Sequence, residues 1–308
     1  LTKTIFRLRE FKAKEMLGRT PGHIKAVRPL VDGVISDFEV TEEMLAYLIG
    51  KAEKISPKTF RPRVVVGVPS GITNVEHRAV YDAAISAGAR EVYIIEEPMA
   101  GAIGIELPVL DPVGCMIVDI GGGTTDIAVM SLGGIVQSKS IKLAGDKMNQ
   151  DVIDYLRNEY KILVGEKTAE EIKVAVGSVQ SKSEGLEVTV RGRDLISGLP
   201  REIMISDRDI YEAIHNSIQV IVDGIREVLE TTPPEIVSDV INRGMFITGG
   251  GALIHGIDVI ISDTFKVPVH IPTEPLSAVA RGCGIVLEDL DHFQQVLIKE
   301  DYVIPFQS

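Results

Sequence analysis

Val118-Asp119-Ile120-Gly121-Gly122-Gly123-Thr124-Thr125-Asp126 decides how this chain is read. The apolar run 115–120 reads as a buried strand that delivers Asp119 at its end. Three glycines then turn the chain into a second strand. They allow positive φ and leave no Cβ between backbone amides and an approaching anion. Thr124 and Thr125 add hydroxyl donors, and Asp119 is placed to hold a magnesium ion through its waters. The combination suits the β- and γ-phosphates of a nucleotide with Mg2+; the alternative is a glycine hairpin of purely structural purpose. It is not a Walker A loop, since GK[ST] is absent, nor a dinucleotide fingerprint, since a strand rather than a helix follows.

A second glycine turn, Phe246-Ile247-Thr248-Gly249-Gly250-Gly251-Ala252-Leu253, reads as strand 245–248 running into a helix over about 252–264. Exposed amides at such a helix N-terminus favour an anion or the ribose-phosphate edge of a nucleotide. Close strand–helix packing is the other reading. Glu96-Glu97-Pro98 closes a strand at 91–96 and opens a helix at about 98–105, where Pro98 suits the first turn. Neighbouring side chains on a strand point to opposite faces, so only one of the two carboxylates is expected to face a ligand. That carboxylate would orient a water for attack on a terminal phosphate, against the plainer reading of a solvated acidic pair. Glu170 and Lys173, three apart on a helix, share a face and by spacing alone read as a surface ion pair. His23, His77, His215, His255, His270 and His292 show no ligand spacing, so a zinc site is not expected.

The rest of the chain alternates strands and helices. Helices are expected at about 41–55 with Thr41 as N-cap, at 73–88 opened by the Thr73–Glu76 capping box, and at 146–160. Others follow at about 168–178 behind a Thr168–Glu171 capping box, at 207–230 up to Pro233-Pro234, and at 276–288. Further strands are expected at 63–68, 126–131, 135–143, 186–191, 201–205 and 267–271. The second half reads hairpin strands, helix, then strand-helix-strand-helix. The first half repeats that plan without its opening hairpin strands. Duplicated α/β halves imply a ligand cleft between them. The first domain is expected at 1–113, completed by a C-terminal helical segment at 275–308; the second at 114–274, with a small inserted subdomain at about 179–208.

Composition agrees. A length of 308 residues suits two domains of about 150 each. Hydrophobic residues, at 45%, are enough for sizeable cores, and a net charge of −12 argues against a nucleic-acid partner. Cys115 and Cys283 are far apart, which fits a reducing cytoplasm rather than a disulfide scaffold. No run of 18 apolar residues and no signal peptide is seen.

Taken in order, VDIGGGTTD, IEEPMAGAIG (95–104) and FITGGGALI (246–254) resemble the phosphate-2, first connecting and adenosine motifs of the actin-like ATPase superfamily. VARGCGIVL (279–287) resembles its second connecting helix. Residues 14–38, 61–80, 168–178 and 232–258 are similar to the bacterial rod-shape-determining MreB branch, and the resemblance spans about residues 13–290. It implies an α/β fold of duplicated, ribonuclease-H-like domains with ATP and Mg2+ in a central cleft. It also implies an ATPase that assembles head to tail into paired filaments on the cytoplasmic face of the cell membrane. There, with cell-wall elongation proteins, such filaments guide peptidoglycan synthesis. On this resemblance Glu96 would orient the attacking water, Thr124 or Thr125 would sit near the γ-phosphate, and Asp119 would serve the metal. Gly121, Gly122 and Gly123 would hold the phosphates. Glu170 and Lys173 would contact the adenosine, with Gly249, Gly250, Gly251, Ala252 and Leu253 beside it.

Two departures qualify the resemblance. The superfamily opens with a hairpin carrying a phosphate-1 motif of the type DLGT-x-N, and nothing of that kind precedes Lys14. Three short strands and their turns amount to roughly 20–30 residues. The expectation is therefore a truncated or mis-started member that binds ATP weakly and hydrolyses it poorly, because one of two phosphate-gripping loops is gone. The branch also carries a paired apolar membrane wedge, where this chain has Ser56-Pro57-Lys58-Thr59-Phe60-Arg61. One Phe is worth about 1.5–3 kcal/mol when buried, so membrane binding through Phe60 is expected to be weak, assisted by Lys58 and Arg61. The alternatives are a non-hydrolysing structural homologue, a small-molecule kinase, or a chaperone-type ATPase of the same superfamily.

Overall fold

The structure, a computed structural model, describes residues 16, 19–21, 24–53, 61–180 and 185–298. Phe60 and the basic start of the chain lie outside the described residues. Leu30–Val31 (β1) and Val34–Ile35 (β2) pair antiparallel across Asp32-Gly33. Both turn residues have positive φ, 51° and 77°, the type I′ geometry that Asp-Gly tolerates best. Helix Phe38–Glu53 (α1) follows, then strand Arg63–Val68 (β3), helix Asn74–Ser86 (α2), strand Glu91–Glu96 (β4) and helix Glu97–Gly104 (α3). Strands Cys115–Ile120 (β5), Thr125–Ser131 (β6) and Gly134–Ile141 (β7) form a meander that leads to helix Gly145–Glu159 (α4). Next come strand Ile162–Leu163 (β8), helix Glu166–Val176 (α5), strands Glu187–Asp194 (β9) and Pro200–Ser206 (β10), and helices Asp207–Thr231 (α6) and Pro234–Arg243 (α7). Strand Met245–Thr248 (β11), helix Ile257–Phe265 (α8), strand Val269–His270 (β12) and helix Ala278–Glu288 (α9) complete the regular elements.

The chain divides into two units. One contains the described residues within Leu1–Arg28, Asp146–Ile218 and Ile254–Gly256. Its sheet is antiparallel, in the order β10-β9-β8, with α5 packed on β9. The other contains the described residues within Pro29–Gly145, Gln219–Leu253 and Ile257–Ser308. Its five-stranded sheet runs β12-β11-β5-β6-β7, parallel from β12 to β5 and antiparallel beyond. β3 and β4 form a separate parallel pair, joined through α2. Every residue of β5 is buried, as suits a central strand covered on both faces.

The core of this larger unit sets the site. Ile95, Met99, Ala100, Ala102 and Ile103 at the end of β4 and along α3 pack with Cys115 and Ile117 of β5, Ala128 and Met130 of β6, and Val286 of α9. α3 lies so close to α9 that a Cβ on Gly104 would overlap the Ala278 carbonyl, and one on Gly282 would overlap the Ala100 carbonyl. Small residues at the crossing therefore fix the depth at which α3, and Glu97 at its start, sits.

Local signals hold in several places. The Thr73–Glu76 capping box forms as read, with the Thr73 side chain accepting from the Glu76 amide at 3.2 Å. Strands 63–68, 91–96, 115–120 and 245–248 have the expected limits. Elsewhere neighbours outcompete the local pattern. α1 begins three residues before Thr41; Asp37 accepts from the Val40 amide at 3.1 Å, and the Thr41 hydroxyl instead donates back to the Asp37 carbonyl. α5 begins after Gly165, which puts Thr168 inside the helix rather than at its cap. The Pro233-Pro234 pair ends one helix and also opens α7, with Pro in the first turn where its missing N–H costs nothing.

Candidate functional site

The β5–β6 hairpin places Asp119 directly opposite Asp126 and Ile120 opposite Thr125. Residues paired across antiparallel strands project to the same face, so the two carboxylates share a side, an arrangement that costs energy between like charges. Both are almost fully buried. The Thr248 hydroxyl, at the end of the neighbouring β11, donates to Asp119 Oδ1 at 2.9 Å. The Ser70 amide, in the turn leaving β3, donates to Asp126 Oδ1 at 3.0 Å. Asp126 Oδ2 is buried with no hydrogen-bond partner. Burial pushes Asp119 up to about 6 against the opposing Thr248 hydrogen bond, and the charge of Asp126 adds to the rise. Burial also raises Asp126, offset by the Ser70 amide and the hydroxyls of Ser140 and Thr124.

Two further carboxylates join this pair. One strand-face argument would send Glu96 and Glu97 to opposite sides, but the strand ends at Glu96 and the helix begins at Glu97, so alternation stops between them. Glu96 accepts the Ser70 hydroxyl; it is raised by burial first, with the Ser70 bond lowering it and Asp126 raising it. Glu97 is pushed up to about 8 by burial, then by the charges of Asp126 and Asp119. Both glutamates therefore act on the site, and Glu97 is the more deeply embedded. Glu97, Asp126, Ser70 and Thr248 were not singled out from sequence. Asp126 was legible there, because a hairpin turning over residues 121–124 must set 119 against 126.

The glycine turns do different work from that expected. Gly121, Gly122 and Gly123 do not use positive φ. Their value is close approach: a Cβ on Gly123 would sit 3.1 Å from the backbone of Asp32, in the β1–β2 turn, while Gly122 is exposed with open space where a Cβ would go. The Gly121 amide is taken by the Thr124 carbonyl at 2.9 Å. The Thr125 hydroxyl donates to the Leu143 carbonyl at 2.7 Å and is fully buried, which leaves Thr124 as the hydroxyl beside Asp126. After Gly249 the chain enters a 3-10 turn, Gly250–Leu253, and α8 starts only at Ile257, so no α-helix N-terminus follows the second glycine run. Gly249 has φ +78°, and a Cβ there would strike the Ile120 backbone; one on Gly251 would strike the Ile120 side chain. These two glycines serve strand packing. Ala252 is buried, whereas Gly250 and Leu253 remain exposed.

Glu170 and Lys173 belong to the other unit. They lie on α5 and both act on the half-buried Asp146 at the start of α4. Arg28 pairs with Asp146 at 3.2 Å and with Glu166, tying the starts of the two helices together. Glu170 and Lys173 thus share the surroundings of Asp146.

Residues able to hold a cofactor follow from these contacts. Two opposed buried carboxylates, one with an orphaned oxygen, fit a divalent cation that would neutralise them. Among the described residues no group of three His, Cys, Asp or Glu side chains forms a ready metal-holding set.

Known proteins resemble this chain over nearly its whole length. The sequence profile of the family described as MreB/Mbl protein matches residues 3–295. The cell shape-determining protein Mbl of Bacillus subtilis is 48% identical over 280 residues, covering 91% of this chain and 84% of that protein. The cell shape-determining protein MreB of Escherichia coli K12 is 47% identical over 289 residues, covering 94% and 83%. The crystal structure of MreB5 of Spiroplasma citri bound to ADP superposes with a TM-score of 0.86 at 38% identity, covering 93% of this chain and 85% of that one; the same protein has also been solved bound to AMPPNP. Fold, motifs and relatives agree, and the chain belongs to the MreB/Mbl family of actin-like, cell shape-determining proteins.

Proposed function

We propose that this chain binds ATP with Mg2+ and assembles into filaments on the cytoplasmic face of the cell membrane, where they guide cell-wall synthesis. The observation that carries the nucleotide part is the opposed, buried Asp119–Asp126 pair beside an exposed glycine, in a chain similar to a protein solved with ADP and with AMPPNP. Buried like charges of this kind persist where a ligand neutralises them.

In this reading Asp119 would hold Mg2+, and the exposed Gly122 together with Thr124 would receive phosphate oxygens. When bound, the metal supplies charge neutralisation at the phosphates. Glu97, in its deprotonated form, accepts a hydrogen bond from the attacking water in place of Glu96. Glu170 and Lys173 would contact the adenosine. Membrane attachment through Phe60 and contact with wall-elongation proteins remain part of the proposal. Among the described residues no helix is long and apolar enough to cross a membrane.

Calorimetry with AMPPNP and Mg2+, paired with light scattering with and without ATP, tests this. Saturable binding and concentration-dependent assembly are expected. Flat scattering together with phosphorylation of an added acceptor would replace the filament reading with that of a small-molecule kinase. An absence of nucleotide binding would remove both.

A further inference from the structure

Ser70 follows Pro69 in the turn that leaves β3, and it is 6% exposed. Its amide donates to Asp126 on β6, and its hydroxyl donates to Glu96 at the end of β4. One small residue thus holds carboxylates from two different strands that belong to two different sheets. A serine hydroxyl has one hydrogen to give. Spent on Glu96, it is not available to Glu97, where burial and the charges of Asp126 and Asp119 act with no hydrogen bond to offset them. The two adjacent glutamates are therefore not equivalent: one is tethered and one is not.

We infer that Ser70 is a positioning residue, whose hydroxyl pins Glu96 and whose amide pins Asp126, leaving Glu97 as the carboxylate that addresses the attacking water. The inference rests on the ATP-hydrolysing reading above and adds to it the element that selects between the glutamates. Geometry explains why this matters. A glutamate carries three rotatable bonds, and an untethered Glu96 beside Glu97 would compete for the same water and add a mobile negative charge near the phosphates. Small displacements of such groups are expensive in rate.

Ser70→Ala isolates the hydroxyl, because alanine keeps the amide that Asp126 needs. The full chain and its S70A, S70T, E96A and S70A/E96A variants are compared in ATP turnover with Mg2+, in AMPPNP affinity by calorimetry, and in melting without nucleotide. For S70A, kcat is expected to fall about 10- to 100-fold, with KM and AMPPNP affinity held within about twofold. S70T, which keeps a hydroxyl, should recover to within about threefold of the parent chain. In the melting cycle, S70A should cost little once Glu96 is already alanine, because the two act as a pair. Unchanged turnover in S70A, or melting losses that add fully in the double variant, would overturn the inference while leaving the ATP reading intact. A parent chain that neither binds AMPPNP nor turns over ATP would overturn both.

Discussion

Glu97→Gln is the most informative single change, because it sets function against stability. Glu97 is held at about 8 against an ordinary 4.5, chiefly by burial. Between those values the folded chain keeps a proton that the unfolded chain has lost. The native state therefore binds more protons across this window, and its stability must fall as pH rises through it. At pH 7 the unfolded carboxyl is about two and a half units past its pKa, while the folded one is still mostly protonated. At about 1.4 kcal/mol per unit, folding is penalised by about 3 kcal/mol relative to pH 4.5. Gln has the shape of the protonated acid and carries no such penalty. The nucleotide-free E97Q chain should melt close to the parent near pH 5 and above it by about 6–12 °C near pH 7, taking about 2–4 °C per kcal/mol. ATP turnover should fall in the same variant. The assay is thermal unfolding of both proteins, without nucleotide, in buffers from pH 5 to pH 8. A melting gap that stays constant with pH, or an E97Q chain that melts below the parent at pH 8, would refute the burial argument for this carboxylate.

Two further outcomes follow from named contacts. Thr248→Val removes the donor to Asp119 Oδ1 without changing side-chain shape. Because Asp119 titrates at about 6, the loss should be about 1.5–3 kcal/mol where the carboxylate is charged and should shrink near pH 5, as read by denaturant unfolding at both pH values. Gly282→Ala gains about 1 kcal/mol of helix propensity but drives a methyl into the Ala100 carbonyl, 3.0 Å from the Gly104 amide. Overpacking of backbone against backbone costs about 3 kcal/mol or more, so net destabilisation of at least about 2 kcal/mol is expected, visible as a drop in melting temperature. The displacement of α3 should also lower ATP turnover, and a G282A chain as stable as the parent would refute the close-crossing argument.

Elements whose signal is local were legible before folding. The β-branched run of β3, the apolar run of β5 and the Thr73–Glu76 box depend on residues within one or two turns of one another, and they form where expected. The β5–β6 turn was legible for the same reason, since strand, glycines and threonines are contiguous. Expectations failed where a distant or competing partner decides. Thr41 lost the cap to Asp37, Thr168 was absorbed into a helix that starts earlier, and the second glycine run folded onto Ile120 instead of opening an α-helix.

By itself, then, the sequence determined the order of strands and helices, the hairpin at Asp119, and membership of an actin-like family, because hydrophobic period, turn chemistry and contiguous motifs are written along the chain. Only the tertiary structure decided which carboxylates meet. The hairpin sets Asp119 against Asp126, but Ser70, Glu96, Glu97 and Thr248 come from three other strands or their ends, and nothing in their spacing says that they converge on that pair. Burial does the rest: the field that lifts Glu97 and Asp119 exists only once the core around α3 and β5 has excluded water.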